Sequence, residues 1–184
     1  PYYKPADKTE NFPNPEVYVH EMPGGQYTNL KQQAAALNLL DRWEDIKDMY
    51  HRVSMMFGDV IKVTPSSKVV GDMTLYMVQN ELREEDVYAN GSTMDFPKSV
   101  IEFFEGRIGT PYGGFPQHLQ KIILKGKEPI SVRPGAVLPP VDFEARRAEL
   151  KEMNAPVTDE AVSSYCLYPD VFRKWVARCE EYGD

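Results

Sequence analysis

The 184-residue sequence predicts a mostly α-helical domain with few or no strands. Apolar residues recur at three- and four-residue spacing through many short segments, the period of one face of a helix. Several of these segments begin with Pro and end before Gly, the asymmetry expected of helix boundaries. Only one short, partly β-branched stretch, residues 59–63, has the character of extended chain.

Residues 1–16 hold four prolines among polar residues and read as an extended connector, with the domain proper over 17–184. A first helix is expected at about 28–38, after the Pro23-Gly24-Gly25 turn. The second starts at Asp41 as N-cap, with Glu44 as its capping-box partner. Its buried face is Trp43, Ile46, Tyr50, Val53 and Phe57, and Gly58 ends it. Thr64 then reads as an N-cap, Pro65 as the first helical residue, and Val69, Met73, Tyr76 and Met77 as the apolar face of a third helix. Further helices are expected at 84–89, 97–105, 116–125, 143–153, 158–167 and 169–182. The stretch 128–141, with four prolines, is expected to be an extended surface loop.

Composition bounds the function. The net charge of −7 comes from 21 basic and 28 acidic residues, with no basic stripe of the kind that nucleic acid or an anionic membrane needs. No apolar run approaches the roughly 18 residues of a membrane span. The first residues lack the layout of a signal peptide, and a start at Pro1 rather than Met leads us to expect a piece of a longer protein. Cys166 and Cys179 are expected to be reduced thiols of a cytoplasmic protein, too far apart along a continuous helix to be bridged, although a break near Pro169 would change that spacing.

Two strings carry the polar chemistry. His20-Glu21-Met22-Pro23-Gly24-Gly25-Gln26 leads into one helix, and Thr64-Pro65-Ser66-Ser67-Lys68 opens another. Helix starts offer unpaired N–H groups and a partial positive charge, which suit an oxyanion or a urea oxygen. Three hydroxyls and an ammonium within five residues can stabilise such an oxygen while one hydroxyl relays a proton. The same residue types also serve as an ordinary cap and first turn, and Gln26 could equally be an exposed turn residue; spacing does not separate these readings. His20 and Glu21 are expected to point apart in extended chain. His51 and His118 show no ligand spacing, so no metal site is expected. Neither Gly-Gly pair forms a phosphate loop, and no Ser-His-Asp or Cys-His set is present.

The chain resembles the conserved carboxylase domain of the pyruvate carboxylase family over nearly its whole length. The resemblance rests on the two strings above, on Phe57-Gly58-Asp59-Val60-Ile61-Lys62 leading into the second, and on Met77-Val78-Gln79-Asn80 and Asp95-Phe96-Pro97. It continues through Gly113-Gly114-Phe115-Pro116, Ile123-Leu124-Lys125-Gly126, Val132-Arg133-Pro134-Gly135, Pro140-Val141-Asp142-Phe143 and Leu167-Tyr168-Pro169. It implies a multi-helix, funnel-like domain at the mouth of a TIM barrel, where carboxybiotin gives its CO2 to pyruvate to form oxaloacetate. Thr64 would be the proton carrier between pyruvate and the biotin ureido nitrogen, and Gln26, Ser67 and Lys68 would bind biotin.

By the same resemblance, the partners would be the carboxyltransferase barrel and the biotin carrier domain of a bacterial, cytoplasmic parent. Divalent metal and ATP would belong to domains that this sequence lacks, so the chain alone is expected to bind no metal and to be inactive. The exposed barrel-facing surface makes self-association into a homo-oligomer an expectation. Two other readings are the equivalent region of an oxaloacetate decarboxylase or transcarboxylase, and a non-catalytic assembly module. Gln26 and the long C-terminal match favour the ATP-dependent carboxylase.

Overall fold

The computed structural model describes residues 15–183. Nearly all of the expected connector lies outside them. Among the described residues there are ten α-helices and no strand, so the 59–63 stretch is irregular chain. The chain divides into two compact units, Pro1–Val137 and Leu138–Asp184.

The described part of the first unit contains α1 (Val17–His20), α2 (Gly24–Ala36), α3 (Trp43–Met56), α4 (Ser66–Gln79), α5 (Glu84–Asn90), α6 (Lys98–Phe104) and α7 (Gln117–Leu124). The face read from the sequence for α3 is the buried one: Ile46, Tyr50, Val53 and Phe57 are fully enclosed, and Trp43 is nearly so. They pack on α4 through Val69, Met73 and Met77. α4 also lies against α2 and α6, so three helices surround it. Phe57 stacks on Phe103 at 5.8 Å between ring centroids and meets Phe104 edge-on at 5.0 Å.

Three helix starts differ from expectation. α2 begins at Gly24 and not near residue 28, because Pro23 takes the N-cap position and its carbonyl accepts from the Tyr27 N–H at 2.8 Å. Gln26 therefore belongs to a first helical turn. α3 begins at Trp43 after a 3-10 turn at Leu40–Arg42, with no side-chain cap. Glu44 does not close a capping box with Asp41; its carboxylate instead lies 2.8 Å from the Lys47 ammonium. Arg42 ties this junction down, pairing with Asp45 at 3.0 Å and donating to the Val78 carbonyl at 2.9 Å.

At α4, Pro65 takes the N-cap position and Thr64 stands outside the helix, joined to it by a cis peptide bond. The hydroxyl that organises this turn is that of Ser66, which bonds the Ile61 and Val63 carbonyls and accepts from the Val63 N–H at 3.2 Å. Thr64 is thus not the N-cap that its position suggests.

The second unit contains α8 (Phe143–Glu152), α9 (Asp159–Leu167) and α10 (Pro169–Tyr182), close to the expected spans. Asp142 caps α8 by accepting from the Ala145 N–H at 3.0 Å, and Thr158 caps α9 by accepting from the Ala161 N–H at 3.2 Å. Leu150, Val162, Tyr165, Phe172 and Val176 form its core. Cys166 on α9 and Cys179 on α10 are half-buried and unbridged; the two helices break at Tyr168-Pro169 rather than forming one rod. No described helix is long and apolar enough to cross a membrane. The 128–141 segment is irregular apart from a 3-10 turn at Pro134–Ala136.

Candidate active-site wall

Gln26 lies in the first turn of α2, four residues before Leu30, so both fall on the same helical face. Only 8% of Gln26 is exposed, although glutamine is a residue that usually stays in water. Its carboxamide reaches α4 at Gly71, so close that a β-carbon there would sit 2.4 Å from Nε2. It makes no hydrogen bond to a described residue. Ser67 lies four residues before Gly71 on α4, one helical turn away on the same strip, and is 5% exposed. The structure therefore brings Gln26 and Ser67 to one face of α4.

The backbone beneath Ser67 is held from behind. Tyr50 of α3 donates its phenol to the Ser67 carbonyl at 3.3 Å, and burial raises the Tyr50 pKa far enough to keep that donor protonated throughout the physiological range. The N–H groups of Ser67 and Lys68 are bonded to the Val63 and Pro65 carbonyls at 3.0 and 3.1 Å. This corrects the expectation of free backbone donors at this helix start. The groups left for a ligand are side chains.

Thr64 is exposed just ahead of this turn, and its hydroxyl makes no hydrogen bond to a described residue. Lys68 falls on the neighbouring strip of α4. Its ammonium is exposed and bonds the Asp72 carboxylate four residues on, which also accepts from the Ser99 hydroxyl of α6. Thr64 thus precedes α4, Ser67 lies in its first turn and Gln26 meets it one turn on at Gly71, while Lys68 is directed along its own strip toward Asp72.

The sequence reading missed two sets of supporting groups. Asp72 and Ser99 hold Lys68; the i, i+4 spacing of Lys68 and Asp72 was the available signal. Glu21 lies 2.9 Å from the Lys62 ammonium and 3.6 Å from His51 Nδ1, joining the start of the Gln26 string to the chain that leads into Thr64. The hydrogen bond from Lys62 lowers the Glu21 pKa. His20 does not sit in extended chain but ends α1, buried, with Nδ1 accepting from the Met22 N–H at 2.9 Å. Burial, reinforced by the nearby Lys47 charge, lowers its pKa and keeps it neutral. No group of three or more His, Cys, Asp or Glu residues among the described residues could hold a metal ion.

The chain belongs to the conserved carboxylase domain family, whose profile matches residues 17–184. Among its relatives, the pyruvate carboxylase of Bacillus subtilis is 58% identical over 184 residues, covering 100% of this chain and 16% of that protein. The pyruvate carboxylase of Staphylococcus aureus is 52% identical over the same length and share. The chain thus spans about one-sixth of the length of these relatives. Among solved structures, the carboxyl transferase domain of Rhizobium etli pyruvate carboxylase with pyruvate and biocytin matches at a TM-score of 0.88 and 45% identity, over 96% of this chain and 30% of that one. The same domain with oxamate and biotin matches at 0.87 and 45%, over 95% and 29%.

Proposed function

We propose that this chain forms one wall of the carboxyltransferase site of a biotin-dependent pyruvate carboxylase, completed by a barrel and a biotin carrier domain elsewhere in a cytoplasmic bacterial parent. The observation that carries this reading is Gln26, a residue only 8% exposed whose carboxamide has no hydrogen bond to a described residue and meets α4 at Gly71, one turn from Ser67, in a helix that the exposed Thr64 precedes. An amide with no described protein partner keeps its donor and acceptor capacity for a ligand. The neutral, polar donors fit the urea-like ring of biotin. Divalent metal and ATP belong to other parts of the parent in this reading.

Carboxybiotin, when bound, supplies the carboxyl group. Gln26 and Ser67 donate to its ureido region, and Lys68 places a positive charge at the rim, where oxygen gains electron density. Thr64 Oγ1 moves one proton: it accepts from the pyruvate methyl group and donates at the ureido nitrogen. A hydroxyl exchanging both protons in concert needs no shifted pKa. Tyr50 holds the Ser67 backbone, and Ser66 fixes the turn that presents Thr64.

The test is Thr64→Ala in the complete carboxylase, with pyruvate carboxylation and bicarbonate-dependent ATP cleavage assayed side by side. Carboxylation should fall by about 10²–10⁴-fold, the usual worth of a positioned proton carrier, while ATP cleavage persists. Survival of both activities would remove Thr64 from the chemistry.

A further inference from the structure

Gly71 interrupts the second turn of α4, a helix in which alanine would be the better helix former. Its backbone is helical and not left-handed, so the turn itself does not ask for glycine. Space does. A β-carbon at 71 would lie 2.4 Å from Gln26 Nε2, 3.6 Å from Gln26 Cδ and 3.1 Å from Leu30 Cδ1. The Gln26 carboxamide occupies the volume that a methyl group would take.

We propose that Gly71 is a positioning residue, the seat that directs the Gln26 carboxamide beside Ser67 toward a biotin ureido group. This rests on the reading of Gln26 as a biotin donor. Glutamine has three rotatable side-chain bonds, and here no hydrogen bond to a described residue fixes the amide. Its direction must then come from packing, and the missing β-carbon at Gly71 leaves the space that the amide fills. The atom nearest a β-carbon at 71 is the far end of a flexible side chain. With alanine there, the amide swings away while the helices stay packed, so folding survives and direction is lost.

The experiment uses the complete carboxylase as Gly71→Ala, Gln26→Ala and the double variant. The assay is the reverse half-reaction with free biotin: oxaloacetate gives its carboxyl group to the ureido nitrogen, and the proton displaced there ends on the methyl group of pyruvate. Gly71→Ala should raise KM for biotin about tenfold, leave KM for oxaloacetate within about twofold and keep or raise Tm. In the Gln26→Ala background the same substitution should change KM for biotin by less than about twofold, the signature of action through Gln26. A crystal structure of Gly71→Ala should show the amide displaced. An unmoved amide, or equal effects in both backgrounds, overturns the proposal. If the amide moves but Gln26→Ala leaves KM for biotin unchanged, the seat is upheld and the assignment of biotin to Gln26 fails.

Discussion

The starts of α8 and α9 in the second unit are built differently from the start of α4 in the first. In the second unit, Asp142 and Thr158 close the first turns of α8 and α9 with their own side chains. Its buried polar groups also satisfy one another: Tyr165 donates to Glu149 at 2.7 Å and accepts from Arg173 at 2.7 Å. In the first unit, α4 begins without a side-chain cap, Thr64 projects ahead of it, and Gln26 is buried with no described partner. One unit finishes its hydrogen bonding internally. The other leaves the Thr64 and Gln26 side chains without a hydrogen bond to a described residue. In the proposed reading, that difference separates residues that hold the fold from residues that serve a substrate.

The contrast can be broken by experiment in the complete carboxylase. Its strongest test is the Thr64 variant: a loss of about 10²–10⁴-fold in carboxylation with Tm nearly unchanged, read by activity and thermal unfolding together. A large fall in Tm would mean that the exposed threonine supports the fold. The reciprocal case is Leu150→Ala, which empties the centre of the second unit and should cost about 2–5 kcal/mol in denaturant unfolding. KM for biotin in the surviving folded enzyme should stay put; a rise would tie that core to the donor set.

Thr158→Ala removes a working cap and should cost about 1 kcal/mol, whereas Thr64→Ala, which removes none, should cost much less. Equal costs would erase the distinction between the two threonines. The smallest effect concerns His20. Its folded pKa lies below the usual 6.5, so the folded state holds fewer protons than the unfolded chain. Stability should therefore be full above the unfolded value and decline as pH falls through 6.5 toward the folded value. His20→Gln should flatten that part of the profile, and an unchanged slope would show that other groups set it.

Much of the fold was legible because it depends on spacing. The Ile46, Tyr50, Val53 and Phe57 periodicity marked the buried face of α3, and the Pro169 start located α10. Boundaries set by local competition were harder to read. Asp41 and Glu44 have the right types for a capping box, but Lys47 draws Glu44 away. Thr64 has the right type for a cap, but Ser66 bonds the turn instead.

At the site, Gln26, Thr64, Ser67 and Lys68 were visible as polar residues next to helix starts. Their grouping was not, because 41 positions separate Gln26 from Ser67 and only the packing of α2 on α4 brings them together. Burial also decided between the readings that spacing left open for Gln26: a residue 8% exposed is no surface turn.

One rod carries Ser67, Lys68, Gly71 and Asp72. In a helix each residue advances about 1.5 Å and turns about 100°, so one register fixes the directions of all four relative to one another. Deleting one residue between Ser66 and Gly71 would swing Ser67 off the strip that meets Gln26, and no adjustment of side chains could restore both at once. Length change in this family should therefore be excluded from the first turns of α4 and accepted in the 128–141 loop, where no helix register is at stake. The spacing of these residues is a form of inheritance more rigid than their identity.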